Sequence, residues 1–345
     1  MKNSRNEYWE EIEKDTRFRE NYYKGVLSFL NDAYQKQTEK RQEHFSPKNY
    51  RENPEKYRVQ FLEMLGFPLL ELGKDAILQE KIFVARDKNV NIYRMTLLIN
   101  AQIPFYGLYF EQIENKEEAP FVIALHGALG TPELMAGIHQ NSANYNHIVR
   151  RITERGANVF VPQLLLWNEN IYGNVHLPRQ EIDGKVRQLG GSMTALELSC
   201  LQAALTFFVH TEKVNGERIG VVGLSYGGMY AVHLAALDTR IKACYSCSWL
   251  CNGFEYAWPE WSYLNAQKTA SSAETAALIC PRALVVAMGD KDNLFDYRET
   301  KKTCARIAGF YRVFGEEKKF KCVIFNGAHE MDNANAELDF FFENI

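Results

Sequence analysis

The sequence predicts an α/β fold: a mostly parallel central sheet with helices on both faces, preceded by an N-terminal helical extension. Three features carry this expectation. From residue 121 onward, short apolar runs alternate with helix-length segments. Before them, three strand-like runs follow one another with only short turns between. Before those, the chain is helical in pattern alone.

Taken in order, residues 1–76 are rich in Glu, Lys, Arg and Tyr. "YYKGVLSFLNDAY" and "PEKYRVQFLEMLGF" place apolar residues at helical spacing, and Pro54 suits a first helical turn. These helices are expected to cover the main domain or to form a subunit contact, so a homodimer is among the partner expectations. Residues 77–345 are expected to be the catalytic domain. It opens with three antiparallel strands, "AILQEKIFVAR", "VNIYRMTLLIN" and "IPFYGLYFEQ", closed by a charged turn at 114–120. Then come "FVIAL", a helical stretch to about residue 153, "ANVFVP", and a long helix through "MTALELSCLQAALTFFVH". Thr194 and Glu197 stand at capping-box spacing in that helix. "RIGVVG", the helix "MYAVHLAAL", "IKACYSC", "RALVVAMGD", a helix around 297–314, "KFKCVIFNG" and a terminal helix complete the pattern. Two segments, 163–191 and 248–265, fit neither period. Both leave carboxyl ends of strands, where loops of such sheets surround ligands, so Trp167, Trp258 and Trp261 are candidate substrate-pocket residues.

Net charge is −3, which provides no basic field for nucleic acid or an anionic membrane. The opening "MKNSRNEYWE" is polar and no apolar run approaches a membrane span, so a soluble cytoplasmic chain is expected. Seven cysteines do not suggest a disulfide framework. Cys244, Cys247 and Cys251 are close in sequence, but no second ligand pair accompanies them; they are read as reduced core thiols, with neither metal nor cofactor expected.

The chemistry centres on "GLSYGG" at 223–228. Composition alone gives about 0.05 chance occurrences of G-x-S-x-G in this chain. Its setting after a strand and before a helix is that of a nucleophile elbow, with Ser225 as nucleophile. His329, in "GAHE" after the last strand, is the expected base; His176 is a weaker competitor, and His210 and His233 lie on or at the ends of helices. Asp290, Asp292 and Asp296 follow the preceding strand, and Asp292 ranks first as the orienting carboxylate. The backbone N–H of Tyr226 and that of Ala128 in "HGALG", with Leu129 second, are the candidate oxyanion donors. His126 is expected to shape that loop.

"HGALG", "GLSYGG", "GDKD" and "GAHE", in this order, resemble the α/β-hydrolase superfamily over about residues 77–345. Within it, "LAALDTRIKACYS" and "YRVQFLEMLGFP" are similar to dienelactone-hydrolase-like and acetyl-xylan-esterase-like bacterial members. The resemblance implies a serine esterase on a small-molecule ester, with an acylated carbohydrate as one substrate class. It departs from true dienelactone hydrolases, which resemble a shorter chain with a cysteine nucleophile. Two other readings stand beside it: a peptidase of prolyl-oligopeptidase type, disfavoured by the short helical N-terminal part, and a binding protein that keeps the fold without catalysis.

Overall fold

A computed structural model describes residues 5, 7, 10–67, 75–114, 119–138, 142–171, 175–211 and 213–345. Residues 115–118 of the expected charged turn and 172–174 of the first pocket segment therefore lie outside the described residues.

Among the described residues, nine strands form one sheet: β1 (Ala76–Asp87), β2 (Val90–Ile99), β3 (Ile103–Gln112), β4 (Ala119–Leu125), β5 (Asn158–Pro162), β6 (Val214–Leu224), β7 (Ile241–Cys247), β8 (Ala283–Gly289) and β9 (Phe320–Phe325). Their spatial order is β1-β2-β3-β5-β4-β6-β7-β8-β9. Strands β1 to β3 run antiparallel, and β3 meets β5 antiparallel. From β5 across to β9 every pairing is parallel. The parallel strands are apolar along their length because both faces are covered. In β4, for example, Phe121, Ile123 and Leu125 enter one core, while Val122 and Ala124 enter the other.

The helices are α1 (Ile12–His44), α2 (Pro47–Glu52), α3 (Pro54–Leu65), α4 (Pro132–Ala136), α5 (Ile148–Thr153), α6 (Arg179–Gln188), α7 (Met193–Val209), α8 (Tyr226–Leu237), α9 (Ala266–Thr269), α10 (Ser272–Ala277), α11 (Tyr297–Phe314) and α12 (Ala336–Phe342). Pro54 opens α3 behind an Asn53 cap, as its spacing predicts. Phe45, Tyr50, Tyr57, Phe61 and Leu65 join the larger core, shared with α7, α8, α10 and α11. The end of α1 and all of α2 and α3 are thus built into the same apolar core as the sheet.

Three expectations are corrected. The helix α7 is capped by Ser192, whose Oγ accepts from the Ala195 amide at 3.0 Å, rather than by a Thr194–Glu197 box. Thr194 lies inside the helix and its hydroxyl meets Tyr263, leaving Glu197 free for tertiary work. The segment 163–191 contains a ten-residue helix, α6, that its polar composition hid. The stretch expected to be helical as far as residue 153 is broken into α4, a single 3₁₀ turn at Ala143–Tyr145, and α5.

Candidate active site

Every candidate residue sits at or beyond the carboxyl end of a parallel strand, so the topology gathers them on one edge. Ser225 terminates β6 and precedes α8 with φ 58° and ψ −121°, a conformation that a side-chain-bearing residue adopts only when its surroundings enforce it. The enforcement is visible in the glycines. A Cβ on Gly223 would lie 2.0 Å from the Gly227 carbonyl oxygen, and one on Gly227 would lie 1.9 Å from that of Leu125. The Ser225 amide donates to the Cys247 carbonyl on β7 at 2.9 Å, fixing the turn to the neighbouring strand. Tyr226 is the first residue of α8, so its N–H has no intrahelical acceptor and stands at the positive end of the helix dipole.

The loop after β4 passes close by. A Cβ on Gly127 would lie 3.2 Å from Ser225 Cβ. Buried His126 holds this loop: its Nδ1 meets the Gly127 carbonyl at 2.9 Å, and its Nε2 accepts from the Leu164 amide at 3.0 Å. Burial lowers its pKa to about 4, so the ring is a neutral strut between two loops, as expected for a shaping residue. Ala128 and Leu129 are exposed beyond it, and Leu129, at φ 61°, bridges to Trp167 of the loop after β5.

On the other side, His329 Nδ1 lies 2.8 Å from Asp292 Oδ2. The other Asp292 oxygen accepts from the amides of Leu294 and Phe295 at 2.8 and 3.1 Å. Burial of this side chain works to raise its pKa, but His329 and the two amides outweigh it and hold the carboxyl below the usual range. Of the three aspartates, Asp290 bonds only the Gly327 amide through its side chain and Asp296 caps α11. The His329 loop is braced by Asn144, which accepts from Met331 and donates to the His329 carbonyl, and by Glu330, which takes the Ala328 amide. The competing histidines lie elsewhere. His176 is exposed and paired with Glu169, His210 bonds its own helix, and His233 is buried with its pKa lowered to about 4.

Between Tyr226 and His329 runs an aromatic wall. Trp258 stacks on Tyr226 with centroids 6.1 Å apart, Trp261 contacts both, and Phe295 links Trp261 to His329. Trp258 is 39% exposed and Trp261 is buried. Trp167 is half-buried on the opposite loop, its indole donating to the Val175 carbonyl. Behind the wall lies a charged network that the sequence pattern did not single out. The Tyr226 phenol donates to Glu260 at 2.5 Å. Arg179 lies 3.8 Å from Glu260, 3.0 Å from Glu197 and 3.0 Å from the Tyr230 hydroxyl. Burial works against the Arg179 charge, but Tyr230 and Glu197 hold its pKa up. Burial, reinforced by Glu260, pushes the Tyr226 phenol up, so it stays a hydrogen-bond donor. Cys244, Cys247 and Cys251 are buried, with burial raising each thiol pKa.

The sequence profile of the dienelactone hydrolase family matches residues 105–329, well over half of the chain, a range that includes Ser225, Asp292 and His329. The chain belongs to the dienelactone hydrolase family. A Bacillus subtilis protein named "Putative hydrolase YtaP" is 29% identical over 134 residues, covering 35% of this chain. The alignment spans 43% of that relative's own length. Among solved structures, the "putative acetyl xylan esterase" of Bacteroides fragilis is similar with TM-score 0.68 at 14% identity, covering 86% of this chain and 83% of its own. The glucuronoyl esterase of Solibacter usitatus is similar with TM-score 0.64 at 13% identity, covering 86% and 92%. At these identities the two structures share the α/β-hydrolase fold with this family member. Among the described residues, no single helix is long and apolar enough to cross a membrane.

Proposed function

We propose that this dienelactone hydrolase family member cleaves carboxylic esters through an acyl-enzyme on Ser225. The observation that carries the reading is the Asp292–His329 pair, held at 2.8 Å on the same sheet edge as the strained Ser225. With Asp292 accepting from Nδ1–H, the imidazole presents Nε2 as the base that takes the Ser225 proton as Oγ attacks the ester carbon. The tetrahedral oxyanion is received by the backbone N–H groups of Tyr226 and Ala128. His329 then protonates the leaving alcohol, activates a water against the acyl-enzyme, and returns the proton to Ser225 as the acid departs. Asp292 stabilises the imidazolium formed in both half-reactions.

An acylated carbohydrate is the substrate class we favour. Trp258, backed by the buried Tyr226, offers a partly exposed aromatic face suited to a sugar ring, and solved neighbours include proteins named a putative acetyl xylan esterase and a glucuronoyl esterase. Cytoplasmic residence is retained with this reading, supported by the unpaired thiols. Turnover of 4-nitrophenyl acetate and of acetylated xylo-oligosaccharides tests it, with Ser225→Ala as the control. Loss of turnover in a variant of unchanged thermal transition supports the assignment, together with labelling of Ser225 by a serine-reactive phosphonate. Undiminished turnover by Ser225→Ala overturns it.

A further inference from the structure

Two thiols meet where the last strand closes the sheet. Cys322 is the third residue of β9, the edge strand, and is exposed, whereas Cys304 is buried on α11. Strand alternation puts Cys322 on the same face as Phe320 and Ile324. Both of those pack on the larger core, and Cys304 is a member of it. The sheet register agrees: Cys322 stands opposite Val286 of β8, which belongs to the same core. Tyr311 stacks on Phe320 with centroids 5.3 Å apart, fixing the helix against the strand. About two turns back along α11, the thiol of Cys304 is hydrogen-bonded to that of Cys322. This bond, aided by the nearby Lys301 ammonium, holds the Cys322 thiol below its ordinary pKa against the effect of burial.

The pair straddles the elements that lead to Asp292 and His329. Helix α11 begins directly after the Asp292 turn, and β9 runs out into the His329 loop. Backbone bonds join these two loops: the Asp290 amide donates to the Phe325 carbonyl and the Lys291 amide to that of Gly327, both at 2.9 Å. We propose that Cys304 and Cys322 form a reversible, peroxide-sensitive disulfide that staples the element leading from Asp292 to the one leading to His329. The Cys322 thiolate attacks one oxygen of hydrogen peroxide, and the O–O bond breaks. Hydroxide leaves and takes the proton that Cys322 had given up, so Cys322 is left as a sulfenic acid. The Cys304 sulfur then attacks the Cys322 sulfur, the S–O bond breaks, and the Cys304 proton departs with the hydroxyl as water. Two thiols and one peroxide thus give one disulfide and two waters. A dithiol returns both residues to thiols by exchange. Cys322 is the accessible partner that reacts first, and Cys304 is the adjacent thiol that resolves it. The sulfurs are already in contact, so closure asks little of the backbone.

The test treats the reduced full chain with about 1 to 10 equivalents of hydrogen peroxide, blocks remaining thiols by alkylation, and maps peptides by mass without reductant. A peptide pair linked through Cys304 and Cys322, separated again by dithiothreitol, is expected. The oxidised protein should melt at least about 3 °C above the reduced one, because the bridge closes a loop of the unfolded chain. The Asp290 and Lys291 amides should exchange with deuterium about tenfold more slowly, since their acceptors lie across the stapled junction. Cys322→Ser should abolish the linked pair and both shifts while keeping the reduced protein's thermal midpoint, because the side chain it replaces is exposed. Absence of the linked pair after peroxide overturns the proposal. So does a Cys322 that bridges to another chain instead, or a bridge that forms yet leaves the midpoint or those two amides unchanged.

Discussion

Replacing Asp292 by Asn isolates the carboxylate charge while leaving the shape of the site almost unchanged. The side chain is wholly buried and accepts three hydrogen bonds: two amides on one oxygen and His329 Nδ1 on the other. Asparagine keeps the amide-facing oxygen but turns an NH₂ toward Nδ1, so two donors meet at 2.8 Å. The imidazole relieves this by moving its proton to Nε2, which removes the lone pair that receives the Ser225 proton in the proposed mechanism. Loss of the correct tautomer and of imidazolium stabilisation together amount to about 10⁴ in kcat, or about 5 kcal/mol of barrier. The assay is kcat and KM for 4-nitrophenyl acetate, with KM expected within about threefold because no substrate contact changes. Asp290→Asn serves as the control and should stay within threefold in kcat, since its side chain touches only the Gly327 amide. A loss below tenfold for Asp292→Asn, or an equal loss for Asp290→Asn, would refute the assignment of the base and its partner. The charge also contributes to stability. Because its folded pKa is lowered, this contribution is full above the ordinary carboxylate range, near pH 4, and is lost as pH falls below it. The stability gap between wild type and Asp292→Asn should therefore close in denaturant titrations below about pH 3.

Other perturbations follow from the same contacts. His126 and His233 are buried neutral with pKa values lowered to about 4, so the unfolded chain takes up protons first as pH falls through about 6.5. Each should remove about 3 kcal/mol of stability between pH 6.5 and 4. A His233→Phe variant with the wild-type pH slope in guanidinium titrations would contradict this. Arg179→Met leaves Glu197 buried without its cation and should destabilise the fold by about 3–5 kcal/mol, read as a lowered denaturation midpoint. Glu260→Gln keeps an acceptor for the Tyr226 phenol, so its thermal midpoint should move by less than about 3 °C. Gly227→Ala drives a Cβ into the Leu125 carbonyl and should abolish soluble expression or activity; full activity would mean the elbow is less tight than 1.9 Å implies.

What the sequence made legible was local. Alternating apolar runs marked the strands because burial on both faces excludes polar residues from them. "GLSYGG" was readable because the sharp turn tolerates no Cβ at either flanking glycine. The late position of His329 was readable because the last strand ends just before it. The choice among three aspartates within seven residues followed from reach, and the structure pairs the first-ranked one with His329. Arg179, Glu197, Tyr230 and Glu260 were not legible. Each belongs to a different element, and only the fold brings their charges together. Glu197 even carried a misleading signal, its spacing from Thr194 matching a cap that Ser192 supplies. The exposed aromatics of α1 gave a helical period but no hint that half of it lies off the body.

Tyr34 and Phe254 lie face to face, and the Tyr34 hydroxyl donates to Asn252 at 3.0 Å. The segment they anchor is the one that carries Trp258, Glu260 and Trp261 to the nucleophile. If Trp258 and Trp261 line the substrate pocket as proposed, that pocket is braced from outside the residues matched by the family profile, by the helix α1. On that proposal, Tyr34→Ala should change the relative turnover of different esters more than it changes the turnover of 4-nitrophenyl acetate.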